Sequence, residues 1–265
     1  MTGKGLPPIL ALSTVSFSTG VSMSSTAKRV QQSGDILFGA HPIIECIKAG
    51  KRRVLALYMT KPEPKAWARV KPYLSKYTPP IQHVGRDVLA RMAGCDDHMG
   101  IVAVVSPFAY ASKPITPQEK QRILLLDGVQ DVHNLGAIVR SAYCAKFDAV
   151  LVTKQCARMV AGVFKASAGL AEHMPIYLVA SLAHAVSELK GMGYGVYMTV
   201  ADGGVDATTV SYQTPLCLVI GSEESGIDAK VRNQGIKVTL PQRDTSSYNA
   251  SVAAGIFLFL TAFLK

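Results

Sequence analysis

The chain of 265 residues is short of charge. Asp, Glu, Lys and Arg make up 17% of it, where about 25% is usual in a globular domain. Hydrophobic residues make up 49%, which predicts a generous core and apolar surface to spare for a subunit interface. Cysteine is also scarce. Cys46, Cys95, Cys144, Cys156 and Cys217 are scattered, odd in number and free of any CxxC pair. That argues against a disulfide framework or a zinc site and suits a reducing compartment such as the cytoplasm. No apolar run reaches the roughly 18–20 residues that span a bilayer. The longest, Ala250 to Leu264, is about 15 residues and reads as a buried helix. There is no GxxxxGK[ST] phosphate loop, no internal repeat and no cluster of metal-ligating residues, so no metal is expected. Acidic residues are missing from the first 34 positions, which are rich in Ser and Thr and carry Lys4, Lys28 and Arg29. This is the composition of a disordered extension, with Met23 an alternative start, or of a mitochondrial transit peptide that would direct the chain to the matrix. The single arginine weighs against the second reading.

The net charge of +10 is unevenly placed. Residues 1–108 carry 14 Lys/Arg against 6 Asp/Glu, a net of +8, and residues 109–265 carry 14 against 12, a net of +2. A basic front half suggests contact with a polyanion, although a merely soluble basic surface has the same arithmetic. From Ile36 the pattern is that of a small α/β unit spanning residues 35–108. Helical spacing at Ile43, Ile44 and Ile47 precedes a strand at Arg53–Met59. Trp67, Val70 and Leu74 predict a helix within Pro62–Tyr77. Ile81–Val84 and Ile101–Val105 read as strands around a short helix at Asp87–Met92. Residues 109–120, with Pro114 and Pro117, have linker composition. Residues 121–265 then alternate apolar strands (123–127, 149–153, 194–200, 216–220, 236–240) with helices (135–146, 182–192, 248–264). Strands that are continuously apolar predict an α/β fold with a parallel sheet covered on both faces. Such sheets bind ligands outside the carboxyl ends of their strands.

Three segments follow predicted strands in the second unit. In the first, Asn134, Gly136 and Arg140 open a helix. A helical glycine costs roughly 1 kcal/mol against alanine, so something is expected to pack closely at Gly136. Arg140, four residues on, shares its face. In the second, Gly221 and Gly226 bracket Glu223 and Glu224, a turn that lets backbone approach a ligand. In the third, Pro241 leads through a hydroxyl-rich loop to Ser247, Tyr248, Asn249 and Ala250 at the head of a small-residue helix. Each has an ordinary structural explanation alone: an exposed helical arginine, a strand-to-helix turn, an N-cap at Ser247 or Asn249.

Together, the N-x-G-x-x-x-R, G-x-E-x-x-G and P-x(5)-S-x-N-x-S-V-A elements resemble the three motifs of the SpoU/TrmH family of RNA methyltransferases. The resemblance runs from about residue 35 to the C-terminus. Phe38-Gly39-x(3)-Ile43-x-Glu45 and His98-Met99-Gly100-Ile101-Val102-Ala103 look like the start and end of that family's ribosomal-protein-L30-like substrate-binding domain. The resemblance implies a trefoil-knotted methyltransferase domain that binds S-adenosylmethionine at Thr199, Gly221, Leu240, Ser247, Tyr248, Asn249 and Ala250. It implies catalysis at a ribose 2′-hydroxyl by Arg140, with Asn134, Glu223, Ser247 and Asn249 around it, and a homodimer built on the C-terminal helix. The layout is most similar to enzymes that modify a guanosine of large-subunit ribosomal RNA. A tRNA ribose methyltransferase and a catalytically silent RNA-binding protein are the alternatives. Lys48, Lys51, Arg52 and Arg53, between helix and strand of the front unit, are the candidate RNA-phosphate contacts. Two positions depart from the family pattern: Val132 stands where Pro is frequent, and Tyr248 where Leu is usual.

Overall fold

The computed structural model describes residues 34–74, 78–243 and 247–263. The first unit runs β1 (Asp35–Phe38), α1 (Ala40–Ala49), β2 (Val54–Met59), α2 (Lys65–Val70), β3 (Ile81–His83), α3 (Arg86–Ala93) and β4 (Ile101–Val105). Its sheet has the order β1-β4-β2-β3, with β4 antiparallel to β1 and β2, and β2 parallel to β3. The strand period of two sorts the side chains. Leu37, Leu57, Met59, Ile101 and Ala103 pack with Ile43 of α1 and Trp67 of α2. Phe38, Ala56, Tyr58, Val102 and Val104 point the other way, onto Leu89 of α3.

The second unit runs β5 (Arg122–Leu126), α4 (Val132–Cys144), β6 (Ala149–Thr153), α5 (Ala161–Ala166), a 3₁₀ turn (Leu170–Glu172), β7 (Ile176–Val179), α6 (Leu182–Gly191), β8 (Gly195–Thr199), β9 (Val205–Asp206), β10 (Leu216–Ile220), α7 (Ala229–Arg232), β11 (Ile236–Thr239) and α8 (Ala250–Phe263). The sheet order is β7-β6-β5-β10-β8-β11-β9, and every pairing is parallel. Leu124, Leu126, Val150 and Leu218 face the layer of α4 and α8, while Ile123, Leu125, Leu151 and Cys217 face α6. Both faces are therefore covered, as continuous apolar strands require. Strand β10 inserts between β5 and β8, and the chain, having reached β11 beyond β8, returns to lay α8 against α4.

The two units meet where the first turn of α1 sits on the turn after α5. Gly169 lies there with φ +85°, and a Cβ on it would stand 2.9 Å from the Cα of Pro42 and 3.0 Å from the carbonyl oxygen of His41. Only glycine serves both the left-handed backbone and the close approach. The proline-bearing segment 109–120 is tied down rather than free. Ala111 donates its N–H to the Ile176 carbonyl at 2.7 Å, and the preceding Phe108 packs edge-on to Phe164.

The helix expected within Pro62–Tyr77 stops at Val70 and continues as a 3₁₀ turn, Lys71–Tyr73, containing Pro72; residues 75–77 lie outside the described residues. Proline removes a helical donor and clashes with the preceding turn, so the α-helix ends there. Residues 154–181 show no long periodic pattern, yet they contain α5, the 3₁₀ turn and β7. These elements are too short to declare a period. The expected extension at residues 1–34 lies, but for Gly34, outside the described residues.

Candidate active site

A cavity of about 840 Å³ opens at the carboxyl ends of β8, β10 and β11. Its wall includes Thr199, Gly221, Glu223, Leu240, Ser247, Tyr248, Asn249 and Ala250. The three loops are held in place locally. Behind β10, Ser222 and Gly226 exchange backbone hydrogen bonds of 3.2 and 3.0 Å, closing a tight hairpin with Glu223 and Glu224 at its tip. A Cβ on Gly221 would collide with the Gly226 backbone. Gly221 is thus required by the hairpin itself, and its effect on the cavity is to bring bare backbone to the wall. Thr239 and Gln242 both donate to the Ala201 carbonyl, at 3.0 and 2.8 Å, joining the loop after β11 to the loop after β8. The Tyr248 hydroxyl donates to the Pro241 carbonyl at 3.0 Å, so the departure from leucine fastens its own loop.

Asn249 has a structural duty as well as a place on the wall. Its Oδ1 accepts from the Ser251 N–H at 2.9 Å and the Ser251 hydroxyl at 2.7 Å, capping α8. Asp131 caps α4 in the same way, accepting from the N–H groups of His133 and Asn134 at 2.6 and 3.0 Å. Those two donors hold its carboxyl below the usual range. With its backbone so fixed, Asn134 donates its side-chain amide to Glu223 Oε1. This bond joins the first segment to the second across strands β5 and β10.

Arg140 stands apart from Glu223, Ser247 and Asn249, which line the cavity. It is exposed and is not among the residues that line the cavity. Gly136, on its face, does have something packed tightly on it: a Cβ there would lie 2.5 Å from the Ala166 Cβ and 2.6 Å from the Val163 carbonyl oxygen. The close neighbour is α5, not a ligand. Arg140 is near enough to the seam between the units for its charge to be one of those that depress the pKa of His41.

The candidate RNA contacts need correction. Arg52 is buried, with 6% of its surface exposed. Its guanidinium lies 3.6 Å from both Glu172 and Asp35 and 4.8 Å from the centre of the Phe164 ring. A charge enclosed among these partners is closed to a phosphate. Lys51 donates to the His173 carbonyl at 3.1 Å, and Lys48 pairs with Glu45 at 2.8 Å while lying over Tyr73. The basic run at the end of α1 is largely a clamp onto the second unit, and Arg53 alone of the four has an exposed side chain without such a tie among the described residues.

Sequence reasoning missed Asp202, Arg232 and the α8 residues Ala253, Ala254 and Phe257 on the cavity wall. Asp202-Gly203-Gly204 directly after the apolar strand β8 was a legible signal, since strand carboxyl ends are where such folds bind ligands. Arg232 had none, because only the packing of α7 brings it to the wall.

The wall suits a particular ligand. Ile220, Ile227, Leu240 and Phe257 offer an apolar surface, and Asp202, Glu223 and Glu224 outnumber Arg232 at the polar edge. A ligand with a flat heterocycle, a net positive charge and one carboxylate would satisfy both. Among the described residues, Arg232 is the one basic residue on this wall.

Comparison with known proteins follows the same lines. The profile described as the SpoU rRNA Methylase family matches residues 121–259, and that described as RNA 2'-O ribose methyltransferase substrate binding matches residues 36–111. The Bacillus subtilis (strain 168) protein YacO, assigned to the TrmH family of tRNA/rRNA methyltransferases, is 33% identical over 240 residues, covering 87% of this chain and 96% of its own. A crystal structure of an RNA 2'-O ribose methyltransferase superposes with a TM-score of 0.78 at 20% identity, over 90% of this chain and 95% of that one. The AdoMet-bound rRNA methyltransferase from Sinorhizobium meliloti gives a TM-score of 0.73 at 21% identity, over 90% and 94%.

Proposed function

The chain belongs to the SpoU rRNA Methylase family, and from that premise we propose that it transfers the methyl group of S-adenosylmethionine to the ribose 2′-hydroxyl of a guanosine in large-subunit ribosomal RNA. The enzyme is an RNA methyltransferase with a knotted C-terminal domain. The observation that carries the cofactor reading is the cavity at the ends of β8, β10 and β11, with its apolar wall and surplus of carboxylates. S-adenosylmethionine matches it part for part: an adenine for the apolar wall, a sulfonium and an amine for the carboxylates, a carboxylate for Arg232. Bound there, it supplies an electrophilic methyl group.

This chain's residues must align the hydroxyl, take its proton and keep out water. Asn134, in the first turn of α4, holds Glu223 of the cavity wall through its side-chain amide. Ser247 and Asn249 border the cavity from another loop. Arg140 keeps its proton at any working pH, so its part is to clamp the phosphate beside the target and steady the developing oxyanion. The separate front unit, matched by a substrate-binding profile, supports a large structured RNA such as ribosomal RNA as substrate.

We also propose a homodimer through α8. Val252, Ile256, Phe259 and Phe263 form a stripe at helical steps on its outer face, and three of them are about half exposed (51%, 56% and 49% for Val252, Phe259 and Phe263). The inner face, Ala254, Phe257, Leu258 and Thr261, is buried.

The test is transfer from tritiated S-adenosylmethionine to unmodified transcripts of large-subunit ribosomal RNA and of tRNA. A 2′-O-methyl group blocks alkaline cleavage of the adjoining phosphodiester. Label is expected in alkali-stable, guanosine-containing dinucleotides from ribosomal RNA. Label in tRNA alone would move the substrate, label in alkali-labile nucleotides would exclude ribose methylation, and no label at all would sink the reading.

A further inference from the structure

The clamp described above ties Lys51 and Arg52 and leaves Arg53 of that run exposed, and a second group of positive charge lies elsewhere in the front unit. It is concentrated at the opposite end of α1, about 15 Å away for a ten-residue helix. There Arg69 of α2 places Nη2 2.7 Å from His41 Nε2. A guanidinium only donates, so His41 accepts with that nitrogen and is the neutral imidazole. Both side chains are exposed. Lys165 of α5 and Arg140 of α4 are close enough to oppose a proton on His41. Lys165 is a strut across the units, 3.0 Å from Asp97 and stacked over Phe38. Neither Arg69 nor Arg140 has a carboxylate partner among the described residues. The acid that acts on His41, Glu45, is taken by Lys48 and His173. Cations from both units thus converge on one exposed seam with too few anions to balance them, and like charges so placed repel until a polyanion arrives.

We infer that this seam is the track of the RNA phosphate backbone, held by Arg69 and His41 and delivered to Arg140 at the edge of the methyltransferase unit. The inference rests on the RNA-methyltransferase reading and names the surface that reading requires. A single small anion would need one such cation. Two, Arg69 of α2 and Arg140 of α4, with His41 of α1 able to become a third on protonation, suit a chain of phosphates. An imidazolium cannot accept the Arg69 N–H, so a phosphate that takes Arg69 over from His41 frees Nε2 and favours the imidazolium, and RNA binding takes up a proton there. Desolvation, Arg69, Lys165 and Arg140 hold the free side chain below its ordinary pKa, and only Glu45, itself shared with His173, works in the other direction. Affinity for RNA therefore rises as the pH falls through the range in which the free imidazole is neutral and the bound one charged.

The experiment measures binding of the full-length protein to an unmodified large-subunit ribosomal RNA transcript, across salt from about 50 to 200 mM. Arg69→Ala is expected to lower the slope of log affinity against log salt by about 0.7–0.9, one phosphate contact, and Arg69→Lys to keep most of it. His41→Ala is expected to remove the wild-type gain in affinity between about pH 7.5 and pH 6. Lys237→Ala is the charge control: Lys237 is exposed on β11, three strands from β5. Calorimetry with S-adenosylmethionine verifies that each variant is folded. The inference is overturned if Arg69→Ala and His41→Ala keep the wild-type salt slope and pH response, as Lys237→Ala should, or if the wild type binds no RNA. Binding alone decides it, so a wild type that binds RNA but transfers no methyl group would refute the proposed function and leave the seam to stand or fall on its slopes.

Discussion

Asn134 and Arg140 leave the same helix on different sides. Six residues advance the chain about 9 Å along α4 and turn it by about 240°. Asn134 therefore reaches Glu223 on the hairpin, while Arg140 is exposed on another side, near enough to His41 for its charge to be felt there. The division predicts separable effects. Arg140→Ala should lower methyl transfer on the order of 10²–10³-fold with little change in S-adenosylmethionine affinity by calorimetry, because Arg140 is not on the cavity wall. Arg140→Lys should rescue poorly, since an ammonium cannot reproduce the planar fork. Loss of cofactor binding in step with rate would place Arg140 at the cofactor instead.

At the scale of elements, α8 serves two surfaces. Its inner face completes the cavity through Ala253, Ala254 and Phe257, and its outer face carries the apolar stripe. Phe259→Glu should turn the proposed dimer into a monomer in sedimentation velocity while leaving the far-ultraviolet circular dichroism unchanged, for Phe259 is 56% exposed within one chain and its replacement disturbs no core. A dimer that persists in this variant would put the interface on another face. The elements also differ in how plainly the sequence announces them. β5, β6 and β10 are five-residue strands in the interior of the sheet with at least four consecutive apolar residues each, and their burial on both faces is written in their composition. β7 is an edge strand with Leu178 exposed, and α5 is a six-residue helix whose role is to meet Gly136. Neither carries a period long enough to read. The glycines show the same limit. The sequence marks Gly136 and Gly221 as sites of close approach, but only the fold says that the approaching group is α5 in one case and the Gly226 backbone in the other. The basic run Lys48–Arg53 misleads for a related reason: charge composition cannot distinguish an exposed cation from one destined for Glu172.

For the whole molecule, the Arg52 contact fixes how the two units sit. Glu172 is buried at 2% exposure, and that burial raises its pKa against the opposing pull of Arg52 and Lys51. Arg52→Ala would leave this carboxylate enclosed with little compensation, a change that typically costs about 3–5 kcal/mol. The cost should depend on pH. With its folded pKa above the unfolded value, Glu172 binds more protons in the folded state, so its contribution to stability declines as pH rises through the folded pKa. The deficit of Arg52→Ala relative to wild type should be larger near pH 7.5 than near pH 5 in chemical denaturation. An equal deficit at both pH values would show that lost packing against Phe164, rather than the stranded charge, is what matters.

The return of the chain from β11 to α8 has a consequence for synthesis. The cavity wall is gathered from Thr199 to Phe257, whereas the sheet it crowns begins at Arg122. At about 5–20 residues per second, roughly 7–27 s separate the emergence of β5 from that of Phe257. Throughout that interval β5 and β6 exist without the helix that seals them, and no cofactor site exists to stabilise the nascent domain. The enzyme must therefore remain both inactive and unsupported by its ligand over that interval, and cofactor binding begins only when α8 has closed over strands made well before it.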